Sequence, residues 1–307
     1  MGRPKGDPVD GVLLLDKPAR MTSSAAVAKA RWLLGARKAG HTGTLDPLAQ
    51  GLLPLTFGEA SKFAADLLDA DKAYEARVHF GVTTTTGDLE GEITARRPVN
   101  LDRTQLEAML PRFTGEIVQV PPMHSALKRQ GRPLYELARA GEVVERKPRQ
   151  VRINRLQVLA FDGNEVWLSI DCSKGTYVRV LAEDLGAAMG CGAHLSGLKR
   201  TRVGQLSIDG AVSIAELEAL EPPARRARLL PLDALLASLP SVELGEQDAG
   251  RFAHGQRLAL RITPAPRVRV YARDARLLGV ASVDEHGVLA PQRLIQAAAD
   301  WITKEHP

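Results

Sequence analysis

Gly40-His-Thr-Gly-Thr-Leu-Asp-Pro-Leu-Ala-Gln-Gly51 is the most informative stretch of the chain. Its three glycines and its Asp-Pro step argue against a regular helix, because glycine frees the backbone and proline removes a donor. The residue before a proline is pushed out of the helical region, which puts Asp46 in a turn or an extended segment. Most Asp-Pro steps make a turn and nothing more. A carboxylate on a shaped loop beside His41, Thr42 and Thr44 is also placed for chemistry, and the rest of the chain must decide between the two.

Upstream, Gly11 to Leu15 reads as a short buried strand, and Thr22-Ser23-Ser24 starts a helix that Gly35 stops. Downstream, Glu59 to Leu68 reads as a helix. Tyr74 to Phe80 alternates apolar and polar residues like a half-buried strand. Leu101 to Phe113 reads as a helix opened by Asp102. Val166, Leu168, Ile170 and Cys172 alternate again, and a helix follows from Tyr177 to Met189. Glu221 to Arg228 looks like a surface connection, and Pro231 and Pro240 bracket a short helix. Strands and helices follow no regular strand-helix-strand repeat, so the expected fold is α+β with a mixed or antiparallel sheet. From Ser241 the chain turns to short alternating pieces. The expected division is a catalytic domain over 1–240 and a small β-rich domain over 241–307.

The chain has 307 residues, 44% apolar and 25% charged, the composition of a globular protein with a sizeable core. No apolar run approaches the roughly 20 residues that span a bilayer, and the polar N-terminus lacks a signal-peptide core. A cytoplasmic protein without membrane contact is expected. Cys172 and Cys191 are too few for a disulfide framework. Cys191 and His194 have ligand-like spacing but no second pair, so no metal is expected.

The net charge of +5 is uneven. From His124 to Arg155 there are nine Lys or Arg against three acids, and from Arg251 to Arg276 seven Arg against one. Such runs are often solvated faces, but two of them favour a polyanionic partner. Aromatics make up only 4%, too few for a broad base-stacking platform.

Several motifs fail on inspection. Ser125-Ala-Leu-Lys128 matches a serine-x-x-lysine pattern without its usual companions. No glycine loop fits a nucleotide cofactor. Asp46 with Asp88 could form a glycosidase pair, although spacing alone does not show whether they meet.

The combination is informative. Gly40 to Pro47, Lys72-Ala-Tyr74, Cys172-Ser-Lys-Gly-Thr-Tyr177-Val-Arg179 and Gly197-Leu-Lys-Arg200 resemble, in order and spacing, the TruB family of bacterial tRNA pseudouridine synthases, which act on uridine-55 in the T arm. Gly11 to Pro18, Pro121 to Lys128 and Leu289-Ala-Pro-Gln-Arg293 extend the resemblance over nearly the whole chain, the last looking like the tail of a PUA-type RNA-binding domain.

The resemblance implies an isomerase that flips the uridine and attacks it with Asp46, and it needs no cofactor. Arg179 would pair with Asp46, keeping it ionised and aimed. Tyr74 would stack on the uracil and take part in the proton movement. Tyr177 and Leu198 would form the pocket floor and wall, His41 would fill the gap left in the T loop, and Asp88 would hydrogen-bond near the pocket. Lys17, in the Gly11 to Pro18 block, is a further candidate for substrate contact. The basic insertion over 122–152, with Lys128, Arg129 and Arg132, would grip the RNA backbone, and the C-terminal domain would contact the acceptor side. The expected partner is tRNA, with no protein partner required and the protein a monomer. The rival reading is a catalytically silent tRNA-binding or folding protein on the same scaffold.

This sequence departs from the family pattern twice. Thr85 stands where the family often has an acid, and His124 stands where tyrosine is frequent.

Overall fold

The computed structural model describes residues 6–295 except 126, 130 and 143, with no account of the side chains of 128, 129, 133, 135 and 139. The first elements are β1 (Gly11–Lys17), α1 (Ser23–Leu33), β2 (Ala39–His41), β3 (Gln50–Phe57) and α2 (Ala64–Leu68). Then come β4 (Lys72–Phe80), β5 (Val82–Thr84), β6 (Ile93–Arg96), α3 (Arg103–Met109) and β7 (Gly115–Gln119). The basic insertion holds β8 (Lys128–Arg129), β9 (Arg132–Pro133) and α4 (Leu134–Arg139). After it come β10 (Arg149–Asp162), β11 (Glu165–Cys172), α5 (Val178–Ala188) and β12 (Ala193–Val203). The small elements β13 (Leu206–Ser207), β14 (Val212–Ser213), α6 (Ile214–Ala219) and α7 (Pro222–Arg226) complete this part.

The alternation at 74–80 and 166–172 is the pleat of two neighbouring strands, paired antiparallel with Tyr74 opposite Ile170. They lie inside a ten-stranded sheet of order β14-β1-β3-β12-β4-β11-β10-β7, with β13 on β12 and β2 on β3. The β1–β14 and β3–β12 contacts are parallel and the others antiparallel, so the sheet is mixed. Helix α5 covers one half of the sheet through Val178, Leu181, Ala182 and Leu185. Helix α1 covers the other half, with Ala26, Ala30 and Leu33 on Leu53, Leu55 and Phe57.

Thr22 caps α1 by accepting from the Ala25 N–H at 3.1 Å, and Gly35 leaves the helix at φ +62°. Asp102 caps α3 in a reciprocal box with Gln105. The helix expected to reach Phe113 stops at Met109 and tightens to a 3₁₀ turn, because Pro111 has no N–H to continue it. The helix expected from Glu59 opens as a 3₁₀ turn over Gly58–Phe63 and becomes α-helical only at Ala64. The short helix between Pro231 and Pro240 is likewise 3₁₀, over Leu232–Leu236. Part of the supposed surface connection forms α7.

The C-terminal part has its own sheet. Strands β15 (Ser241–Leu244), β16 (Leu258–Ala259), β17 (Ala265–Ala272), β18 (Leu277–Val283) and β19 (Val288–Leu294) are ordered β15-β17-β18-β19-β16. Helix α8 (Glu246–Ala253) buries Phe252 against them. A shared cluster of Phe63, Leu235, Leu236, Leu277, Val280 and Ile295 joins this part to the larger sheet. Lys62 donates to the Leu294 carbonyl at 3.0 Å, and Arg267 pairs with Asp66 at 2.7 Å across the same boundary.

No helix among the described residues is long and apolar enough to cross a membrane.

Candidate active site

The Asp46 loop joins β2 to β3 and is held from both sides. Ser23, 3% exposed at the start of α1, donates its hydroxyl to the Leu45 carbonyl at 3.0 Å and accepts from the Leu45 N–H at 2.9 Å. The Arg20 N–H reaches the Pro47 carbonyl at 2.7 Å, and the Ala49 N–H reaches the Asp46 carbonyl at 3.1 Å. From the sheet side, Arg200 on β12 donates to the Gly43 carbonyl at 3.1 Å and to Leu52 at 2.8 Å. The turn thus presents the Asp46 side chain, 47% exposed, on a backbone that has little freedom.

Sheet register brings the remaining parts alongside. Gly51 stands opposite Arg200 on β12, Arg200 opposite Tyr74 on β4, and Tyr74 opposite Ile170. A Cβ at Gly51 would lie 2.4 Å from the Arg200 carbonyl, so only glycine permits this approach. Lys72 anchors the start of β4 through the carbonyls of Leu68 at 2.8 Å and Ala70 at 2.5 Å. Burial pushes the Lys72 ammonium down to about 8. Burial raises the Tyr74 phenol above its ordinary value, with the neighbouring Arg200 guanidinium acting in the opposite sense. The ring is therefore a neutral apolar surface at pH 7.

Arg179, in the first turn of α5, is the electrostatic centre. Its Nη2 lies 3.0 Å from Asp46 Oδ2 and donates to the His124 carbonyl at 2.8 Å. Its Nη1 lies 3.1 Å from Asp88 Oδ2 and 3.4 Å from the Thr86 carbonyl. Asp88, 2% exposed, also accepts on Oδ1 from the Thr86 hydroxyl at 2.5 Å and from the Glu90 N–H at 3.0 Å. The two aspartates do share one site, joined by one guanidinium. Buried with both oxygens engaged, Asp88 is not free to face a sugar as the acid of a glycosidase pair. Near it, burial and the neighbouring Asp184 raise the Glu183 carboxyl.

Asp46 stands between two chambers. The smaller, inner in that Tyr74 of the central strand β4 lines it, is about 130 Å³ and is lined also by Tyr177, Val178, Leu198, Thr176 and Arg179, with Asp46 its only acidic side chain among the described residues. The outer one, about 420 Å³, is lined by His41, Asp88, Glu90, His124, Ser125 and the start of α1, again with Asp46 and Arg179. His41 Nδ1 accepts from the Gly43 N–H at 3.2 Å. Burial, then the Arg200 charge, lowers the imidazole below its ordinary value, so His41 is neutral at pH 7.

Of the residues named from sequence, Asp46, Tyr74, Arg179, Tyr177 and Leu198 surround the inner chamber, and His41 and Asp88 face the outer one. Lys17 is a correction. It is 0% exposed, and its ammonium is spent on the Pro18 carbonyl at 2.9 Å and the Met21 carbonyl at 2.7 Å. It holds the turn before α1 and has no surface with which to touch a substrate; burial pushes it down to about 8. Arg132 is exposed and pairs with Glu142 at 3.5 Å, whereas the side chains of Lys128 and Arg129 lie outside the described structure.

The C-terminal basic run is less available than its composition implied. Arg251, Arg257, Arg267 and Arg276 pair with carboxylates, and Arg269 donates to the Leu239 carbonyl. Arg261 and Arg273 remain on the exposed surface.

Sequence reasoning quoted Arg200 in the Gly197–Arg200 block and Ser23 in a helix start but gave neither a role at the site. Arg200 is 2% exposed on a strand whose basic residues, Lys199, Arg200 and Arg202, disguise its pattern. Ser23 reads only as a helix start. Neither has a local signal, because each acts on a loop distant in sequence.

Comparison with known proteins places the chain among proteins of one family. A model of the N-terminal domain of TruB family pseudouridylate synthases matches residues 31–178. A tRNA pseudouridylate synthase B C-terminal domain model matches 179–237, and a C-terminal model of pseudouridine synthase II TruB matches 240–295. A protein of Dechloromonas aromatica named tRNA pseudouridine synthase B is 57% identical, over 94% of this chain and 97% of that protein. One of the same name from Ralstonia nicotianae is 56% identical, over 95% of this chain and 96% of its own length. Among solved structures, a chain of a Cbf5-Nop10-Gar1 complex superposes with a TM-score of 0.75 at 24% identity, covering 98% of this chain and 92% of that one. At such identity the likeness speaks for the fold alone.

Proposed function

The chain belongs to the TruB family of pseudouridylate synthases and is a tRNA pseudouridine synthase, and we propose that it isomerises uridine-55 of the T arm by base flipping and attack from Asp46. The observation that carries this reading is the placement of Asp46, the one acid lining the inner chamber among the described residues, against Arg179 and beside Tyr74 and Tyr177.

A uracil cannot reach Asp46 from within a stacked loop, so the nucleotide must turn outward at a cost of about a few kcal/mol. The inner chamber receives the ring between Tyr74, Tyr177 and Leu198, where stacking returns about 1–3 kcal/mol. The sugar and flanking phosphates stay in the wider outer chamber, where His41 fills the space the base has left. Asp46 attacks the nucleoside while Arg179 fixes the direction of its carboxylate. The N1–C1′ bond breaks, the uracil turns within the chamber, and C5 bonds to C1′. The C5 proton leaves and N1 gains one, so the product is an isomer and no redox partner enters the balance.

Arg132 and the exposed Lys147 of the insertion, with the exposed Arg149 and Arg152 at the start of β10, contact the RNA backbone, which positions the substrate without specifying it. The protein acts as a cytoplasmic monomer.

The test is to incubate the purified protein with an unmodified tRNA transcript and map pseudouridine by carbodiimide-dependent primer extension. A single stop at position 55 is expected. Modification elsewhere, or binding with no modification, would overturn the assignment, and the latter would favour a silent RNA-binding protein.

A further inference from the structure

Gln119 is the last residue of β7 and is 1% exposed. The chain leaves the sheet there for the insertion and returns at Arg149, which pairs with Gln119 itself. The Gln119 carboxamide points at the main chain of Tyr177. Its Nε2 donates to the Tyr177 carbonyl at 3.2 Å, and its Oε1 accepts from the Tyr177 N–H at 3.0 Å. A side chain thereby supplies both bonds that a neighbouring strand would give to the extended residue ahead of α5. Five residues beyond Gln119, the His124 carbonyl accepts from Arg179 Nη2 at 2.8 Å. The segment 177–179, which carries the chamber ring and the guanidinium, is thus tied at both ends to the stem of the insertion.

Packing alone does not explain a glutamine here, since leucine would fill a similar volume without burying a carboxamide. Both of its bonds go to a residue that lines the inner chamber.

We propose that Gln119 is a positioning residue for the isomerisation: it holds Tyr177, and through the start of α5 Arg179, in fixed register with the stem of the insertion. An RNA held by the insertion is thereby held in register with the chamber. The inference rests on the isomerase reading above.

The test is single-turnover release of tritium from 5-tritiated uridine in tRNA, with enzyme in excess, for the wild type, Gln119→Leu and Gln119→Glu. Leucine removes both bonds, whereas glutamate keeps the acceptor for the Tyr177 N–H. The Leu variant is expected to lower the rate constant about tenfold or more, with full amplitude and nearly unchanged tRNA affinity. The Glu variant sets an oxygen against the Tyr177 carbonyl in place of the donor, so it should lower the rate constant as well, and it carries the test if the Leu variant does not fold. A purely structural role would lower the folded fraction, read separately by circular dichroism, while the remaining folded enzyme, still in excess, keeps the wild-type rate constant. That result, or a wild-type rate in both variants, overturns the proposal. An inactive wild type would instead sink the isomerase reading itself.

Discussion

Replacing Arg179 by Met should be the single change in the site that costs most in stability, and that cost follows from burial. The Arg179 side chain is 7% exposed and that of Asp88 2%, so their pair at 3.1 Å is shielded from water. Removing one member of a buried pair leaves the other uncompensated and costs about 3–5 kcal/mol. Asp46, 47% exposed, can turn to solvent, so losing that pair costs at most about 1 kcal/mol in stability. Its cost lies in rate. Without Nη2 the carboxylate is no longer aimed, and a misplacement of about 1 Å lowers turnover about 100-fold. Unfolding in urea should therefore show a loss of about 3–5 kcal/mol, and tritium release a fall of about 100-fold or more. Arg179→Lys keeps the charge but cannot fork between the two carboxylates, so it should recover stability without recovering rate. A Met variant that loses less than about 1 kcal/mol would show that Arg179 and Asp88 do not form a buried pair.

Three further outcomes follow. Ser23→Ala leaves both backbone groups of Leu45 without a side-chain partner. It should cost about 1–3 kcal/mol in chemical denaturation and lower kcat more than it raises KM, whereas unchanged kinetics would separate Ser23 from the loop. The His41 imidazole should titrate in NMR with a midpoint below 6.5, because the folded state disfavours its cation. Its contribution to stability is then present above pH 6.5 and lost as the pH falls, and a midpoint at or above 6.5 would contradict the burial argument. Lys17, lowered from 10.5 to about 8, binds its proton less readily folded than unfolded. The stability of the wild type relative to Lys17→Met should thus rise between pH 8 and 10.5, by as much as about 3 kcal/mol, and a flat difference would contradict it.

The sequence made the frame legible wherever the signal was local. Thr22, Gly35 and Asp102 mark helix ends by their own chemistry, and alternation identified β4 and β11. Strands β3, β10 and β12 were not recognised. β3 carries Pro54 and is buried along nearly all of its length, so it does not alternate. β12 mixes Lys199, Arg200 and Arg202 into its centre. The motifs named the residues around the two chambers, because the family resemblance spans most of the chain. They did not reveal that one guanidinium joins Asp46 and Asp88, that Lys17 is enclosed, or that several C-terminal arginines pair with carboxylates at the surface. The Asp46–Arg179–Asp88 link and the Arg267–Asp66 pair join partners remote in sequence, which meet only when sheet register and packing bring them together.

Asp46 is the group proposed to attack the uridine. The direct measurement is tritium release from 5-tritiated uridine in tRNA by Asp46→Asn, with tRNA binding followed in parallel. Asparagine keeps the shape and can still face Arg179, but it lacks the nucleophilic oxygen. No release above background, with nearly unchanged binding, is expected. Release at the wild-type rate would contradict the role proposed for Asp46.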